Sequence, residues 1–277
     1  MHQHQPQLYC SYQPGPPLDR FVEQLWYWDG IPGSHAKDRL LPSGAASLII
    51  NLEEDEVRDY YGERDDIVQR FPGAVLVGAF SRYSVIDTRE QRRVLGVSFR
   101  PGGMWPFFDP AADEAHNQHI SMQDLWGSAG STLRERALAA PTPYAKMKLL
   151  EGELLRRAVR PLQRRAELEF ALRCLTIDPQ EHSIATLSER VGLSTRRFAR
   201  LFTLEVGMTP KLYARIKRFE RVVRRMHAPG LDWGELAQSC GYFDQSHLIR
   251  DCRSMSGFTP KELAARHTGG NSHIALV

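Results

Sequence analysis

Thr195, Arg196, Arg197, Ala199 and Arg200 lie within six residues, and Gln245, Ser246, His247, Ile249 and Arg250 lie within another six. The chemistry such sets can do is the recognition of base edges. A guanidinium presents two parallel N–H groups that match O6 and N7 of guanine, and a glutamine amide does the same for adenine. Alanine and isoleucine offer apolar contact to a thymine methyl group. Arg200 and Arg250 hold matched positions in the two sets, so each could equally tie its helix to a carboxylate or a phosphate. Between the sets lie Lys217, Arg218 and Arg221, in a run from Lys211 to Arg225 where seven basic residues meet one acid, Glu220. That run reads either as a phosphate-contacting surface or as a solvated helix face.

The elements that must position these side chains repeat. Ile184–Tyr213 and Leu231–Leu263 are two copies of one pattern. Leu187, Val191 and Gly192 match Leu236, Cys240 and Gly241; Phe198, Arg200, Gly207, Thr209 and Pro210 match Leu248, Arg250, Gly257, Thr259 and Pro260. The second copy holds one extra residue just after its first glycine. Leu187 and Val191 are spaced i, i+4, as one apolar helix face requires. Gly192 and Gly241 end the first helix of each copy, and Ser194 and Asp244 cap the second. Asp232 and Glu235 read as a capping box. Phe198, Leu201 and Phe202, with Leu248 and Cys252 in copy two, turn the second helix inward by that face. The polar sets above are left on the other. After each copy, Thr-Pro launches a further helix, which in copy one runs from about Pro210 to Met226 and spaces the two units.

On GLSTRRFARLF, GMTP, GYFDQSHLIRDCR and GFTPKEL, spanning about residues 170–266, the chain resembles the AraC/XylS family of regulators. The resemblance implies a seven-helix DNA-binding domain with two helix-turn-helix units entering successive major grooves. Cys252 stands where the family usually has an aromatic residue, and Thr203 where it often has a basic one. The run VLGVSFRPGGMWPFF, with LPSGAASLIINL before it and ISMQDLW after it, is similar to the N-terminal domain of a subset of that family with no assigned ligand.

Residues 1–140 read differently. Short apolar runs at 25–28, 48–52, 75–80, 85–87 and 94–99, set among Pro and Gly, predict strands of a small sandwich or barrel. Residues 53–66 are acidic and predict a hairpin or loop. Residues 104–108, 124–138 and 144–177 predict helices, the last broken near Pro161. The fold class is therefore α+β: a β-rich regulatory domain over 1–140, a helical connector over 141–177, an all-α double helix-turn-helix domain over 178–268 and a tail over 269–277. Trp26, Trp28, Phe80, Phe99 and Trp105 are material for an aromatic-walled pocket, with Arg100 placed for an anionic ligand group. The same residues would serve equally as core.

The totals agree with this division. The net charge of +3 is the sum of +5 over residues 178–277 and −2 over the rest. Cys10, Cys174, Cys240 and Cys252 form no CxxC pair and predict reduced thiols rather than zinc or disulfides. His2 and His4 fall in a polar N-terminus without an apolar signal core, and His116 and His119 in a polar loop, so no metal site is expected. No cofactor and no enzymatic activity are expected either, since no triad, reactive cysteine or metal cluster is spelled. The reading is a cytoplasmic, sequence-specific transcription regulator of double-stranded DNA, with no membrane span. Its N-terminal domain binds a small-molecule effector of unknown identity or dimerises. RNA polymerase and a second copy of the chain are the protein partners this admits. Two other readings stay open: control by a partner protein, and a DNA-linked repair enzyme with a regulatory tail.

Overall fold

The computed structural model describes residues 8–30, 37–60, 68–109, 111–267 and 273–276. Its N-terminal half is built on strands β1 (Leu8–Tyr12), β2 (Val22–Asp29), β3 (Lys37–Leu40), β4 (Ser47–Asn51), β5 (Glu56–Tyr60), β6 (Val68–Pro72), β7 (Ala74–Val77), β8 (Ser84–Asp87), β9 (Arg93–Phe99) and β10 (His119–Ser121). Helices follow: α1 (Met122–Trp126), α2 (Ser128–Ser131), α3 (Leu133–Ala139), α4 (Pro143–Arg156), α5 (Ala166–Ile177), α6 (Ile184–Arg190), α7 (Thr195–Val206), α8 (Pro210–Arg225), α9 (Trp233–Ser239), α10 (Gln245–Ser256) and α11 (Pro260–Arg266). A last strand, β11 (His273–Leu276), lies within the stretch expected as a tail.

The strands form two antiparallel sheets, ordered β1-β2-β9-β4-β7-β10 and β11-β3-β8-β5-β6. Strand alternation decides what each face meets. Leu25 and Tyr27 are buried with Leu95, Val97, Leu48 and Ile50 in a core completed by Phe107, Phe108, Met147, Leu150 and Leu154. Trp26 and Trp28 alternate with Leu25 and Tyr27 and so point to the opposite face of the same sheet. Trp26 lies over Gly96, where a β-carbon would sit 2.3 Å from the indole, and its Nε1 donates to Ser98 Oγ at 3.1 Å. Glycine at 96 is what lets that ring lie down on the sheet. At the far edge the two sheets meet: His119 on β10 stacks on Phe71 of β6 with ring centroids 5.0 Å apart, and its Nδ1 is 3.5 Å from Asp59 Oδ2 on β5.

The acidic segment forms the expected hairpin, β5 pairing with β6, although residues 61–66 lie outside the described residues. Residues 104–108 are turn rather than helix. Pro106 and the preceding Gly102-Gly103 oppose a helical ladder there, and the apolar side chains of Met104, Phe107 and Phe108 are buried without one. His119 also departs from expectation: it is buried in a strand, not carried on a polar loop. His2 and His4 lie outside the described residues.

The C-terminal helices share a second core, which also takes in Leu41, Ala79 and Ile274 from the strand-rich half. The two halves are therefore packed together and not merely tethered.

Candidate DNA interface

Both helix-turn-helix units form as the repeat predicts. Ser194 Oγ accepts from the Arg197 backbone N–H, and Asp244 Oδ1 from that of His247 at 2.7 Å, so each second helix starts at its cap. Gly192 and Gly241 adopt φ of 69° and 84°, the left-handed turn that glycine enters at least cost. Thr209 and Thr259 cap α8 and α11 with Pro in the first turn. Phe198 and Phe202 on α7, and Leu248, Cys252 and Met255 on α10, are all buried. Their burial fixes which stripe of each helix faces out.

On α7 that stripe is Arg196 and Arg200, one turn apart, flanked by Arg197; all three are exposed, as is Thr195, while Ala199 is half-buried. On α10 it is Ser246 and Arg250 with Gln245, all exposed; Ile249 and His247 are half-buried. None of the described hydrogen bonds or ion pairs of a side chain involves Arg196, Arg197, Arg200 or Arg250. Thr195 and His247 have structural partners as well. Thr195 Oγ1 is 3.1 Å from Ser188 Oγ, and His247 packs edge-on against Tyr242 at 5.1 Å. A cleft of about 330 Å³ runs along the flank of α7, lined by Arg165, Leu193, Arg197, Arg200 and Leu204.

The connecting helix α8 is not the basic surface that its composition suggests. Lys217 is buried, and its ammonium donates to the Ser43 carbonyl at 3.0 Å and to Glu220. Arg221 donates to the Ile177 carbonyl and pairs with Asp178 at 3.6 Å, its side chain 15% exposed. Arg218 is half-buried with its guanidinium over the Tyr242 ring, 5.5 Å from the centroid. Arg215 pairs with buried Asp251 of α10 at 2.8 Å, fixing the second unit against the helix. A helix that touches both units and the strand-rich half has little surface left for phosphate. In the structure Lys217 and Arg221 are engaged within the fold and Arg218 is half-buried against Tyr242, while Lys211, Arg224 and Arg225 are exposed.

The N-terminal half grips each part of this domain. Gly44 lies against the Tyr213 ring of α8. Ala112 N–H donates to the Leu204 carbonyl of α7 at 3.0 Å, and Arg165 pairs with Glu205 at 2.7 Å. At the second unit, Arg39 of β3 is 1% exposed and donates from Nη1 to the Ser256 carbonyl at the end of α10, at 2.6 Å. Its guanidinium lies 4.1 Å from the centroids of both Tyr83 and Phe258. Glycine at 257 makes room for it: a β-carbon there would stand 2.4 Å from Nη1. Beyond α11 the chain returns and pairs β11 with β3, and His273 meets Asp38 at 3.3 Å. Sequence reasoning missed Arg39, because KDRL carries no local signal for a contact made 217 residues away.

The residues set down for a ligand pocket do not gather around one space. Phe99 alternates with Trp26's neighbours Gly96 and Ser98, so it points to the opposite face, into the core beside Phe107 and Phe108. Phe80 is buried against His119. Trp105 is covered by the Arg160 guanidinium, 3.8 Å from its centroid, and Arg100 donates to the Asp19 carbonyl. Trp26 and Trp28 alone share a half-exposed face. A second cleft, of about 740 Å³, lies instead at the hinge after α8, lined by Arg225, His227, Pro229 and Glu235 among others.

The chemistry of the thiols follows from burial. Cys240 and Cys252 are buried, and burial pushes the Cys252 thiol up to about 12, well away from thiolate reactivity. Among the described residues no three His, Cys, Asp or Glu side chains are grouped to hold a metal ion, and no helix is long and apolar enough to cross a membrane.

Two segments of the chain match family models. Residues 187–266 match the family model of a helix-turn-helix domain, and residues 10–121 that of a domain of unknown function, DUF6597. No curated protein matches the chain. Among solved structures, the C-terminal domain of AraT, a response regulator from Geobacillus stearothermophilus, is 16% identical, with 38% of this chain and 89% of that one covered and a TM-score of 0.36. A DNA-binding transcriptional dual regulator from Escherichia coli K-12 is 20% identical, with 39% and 96% covered and a TM-score of 0.34. ToxT from Vibrio cholerae is 11% identical, with 95% and 99% covered and a TM-score of 0.43. Residues 187–266 therefore carry a helix-turn-helix domain, folded as two capped units on either side of one connecting helix, and residues 10–121 carry a β-rich domain of unknown function.

Proposed function

We propose that the chain binds an asymmetric, two-part site on double-stranded DNA through the outward stripes of α7 and α10, and that the N-terminal domain controls this binding. The observation that supports the first part is the contrast between the two recognition helices and α8. Arg196, Arg200 and Arg250 stand exposed, whereas Arg215, Lys217 and Arg221 are engaged within the fold. The stripes differ in composition, arginine-rich on α7 and mixed on α10, which favours two unlike half-sites over a palindrome within one monomer's footprint.

The second part is supported by the contacts on both units. Arg39 holds the end of α10, β11 pairs with β3 beyond α11, and the Ser43–Gly44 and Ala112 segments hold α8 and α7. An effector that shifts the strands relative to one another moves the units with them. The half-exposed face carrying Trp26 and Trp28 is where we place a small apolar effector. Native mass spectrometry of the purified chain tests this reading. A co-purified small molecule, lost from a Trp28→Ala variant, is the expected result. A chain free of ligand that instead captures a protein at stoichiometry would point to control by a partner.

Binding itself is tested by the salt dependence of affinity. Neutralising about 4–8 phosphates gives a steep linear fall of log affinity with log salt. A slope near zero would refute DNA binding through these arginines.

A further inference from the structure

The two units differ by one residue in the turn, and the structure identifies which. In the first unit Gly192, Leu193 and Ser194 lead into α7; in the second Gly241, Tyr242, Phe243 and Asp244 lead into α10. Ser194 and Asp244 perform the same capping, and Tyr242, buried, takes the inward place that Leu193 half fills. The extra residue is therefore Phe243. It is 87% exposed, more than any other exposed large hydrophobic side chain among the described residues.

Scattered exposed apolar residues are ordinary on protein surfaces; the position is what distinguishes this one. A turn that needed only another residue would be served by Ser, Asn or Gly, and none of these leaves a ring in water. Phe243 stands immediately before the cap of a recognition helix, at the end that approaches base edges in helix-turn-helix docking. Gln245 and Ser246 follow within the first helical turn. A phenyl ring beside them can meet the C5-methyl group of thymine, the one apolar feature of the major-groove edge.

Resting on the DNA-binding reading above, we propose that Phe243 is a specificity-determining residue of the second unit, reading a thymine methyl group at the edge of its half-site. The first unit, one residue shorter, has no equivalent. This makes the two units unequal in kind as well as in sequence.

The test uses the full chain and its selected DNA site, with each thymine of the second half replaced in turn by uracil, which lacks only the methyl group. One buried methyl is worth about a fourfold change in affinity. The wild type is expected to lose about three- to fivefold at one such position. Phe243→Ala and Phe243→Ser should bind the thymine site about three- to tenfold more weakly and show no difference between thymine and uracil there. Because the ring is exposed, both variants should keep the thermal midpoint of the wild type, which separates recognition from folding. A wild type that selects a site, paired with a Phe243→Ala variant that keeps every thymine preference, would overturn the proposal alone. So would a variant with unchanged DNA binding and reduced transcription, since the ring would then meet a protein. A wild type that selects no site would overturn this inference together with the reading beneath it.

Discussion

Replacing Arg39 by methionine isolates the contact between the strand-rich half and the second unit. The side chain is 1% exposed, so its interactions are made in a dry setting. Methionine keeps most of the stem's packing and removes the guanidinium. Lost are the charge-assisted hydrogen bond to the Ser256 carbonyl, at 2.6 Å, and the stacking on Tyr83 and Phe258. A hydrogen bond to a charged group contributes about 1.5–3 kcal/mol, and a desolvated cation–π contact about 0.5–2 kcal/mol. Against this, a buried guanidinium no longer has to be desolvated, which returns several kcal/mol in favourable cases. The expected net loss is about 1–3 kcal/mol, confined to the docking of α10, α11 and β11 on β3. Hydrogen exchange reads this directly: amides of β11 and β3 should exchange about 5- to 150-fold faster in Arg39→Met, while α4 and the first sheet stay protected. Unchanged protection at β11, or a uniform loss across both cores, would refute the argument that Arg39 couples the domain to this unit.

Three further outcomes follow from the same geometry. Arg221→Ala should lower stability by about 1–3 kcal/mol, because the Ile177 carbonyl and Asp178 lose their partner, and should leave the salt slope of DNA binding unchanged. Arg197→Ala should do the reverse, reducing the slope by about one with little change in stability; denaturation and salt titration of the two variants decide between scaffold and phosphate contact. Burial holds His119 down at about 4, from an ordinary 6.5. Its unfolded form therefore binds the proton first, so the stability linked to it is complete above pH 6.5 and is lost as the pH falls towards 4. The loss is about 3 kcal/mol, and His119→Asn should flatten this part of a stability–pH profile.

How much of this was legible in the residues follows from the range of the forces involved. The helix-turn-helix units were readable because their signals are local: Ser194, Asp244, Thr209 and Thr259 cap through bonds three residues away, and Gly192 and Gly241 enter turns that their own backbones favour. The strands at 22–29, 47–51, 74–77, 84–87 and 93–99 announced themselves by apolar content. Those at 8–12, 37–40, 119–121 and 273–276 did not. They are short, mixed in polarity and formed by pairing with distant chain, so propensity says little of them. The basic run of α8 was visible as charge, but which guanidinium meets solvent and which meets Asp178 or Asp251 is settled by tertiary packing. The aromatic set is scattered for a simpler reason: strand parity, which residue type does not carry, puts Phe99 and Trp26 on opposite faces of one sheet.

Binding-site selection with the full chain and its Arg196→Ala and Gln245→Ala variants tests the central claim most directly. The account predicts a two-part site for the wild type. Arg196→Ala should relax one base pair in one half, at about 1–3 kcal/mol, and Gln245→Ala should change preference only in the other half. A uniform loss of affinity in Arg196→Ala with every base preference intact, or a wild type that selects no sequence, would contradict it.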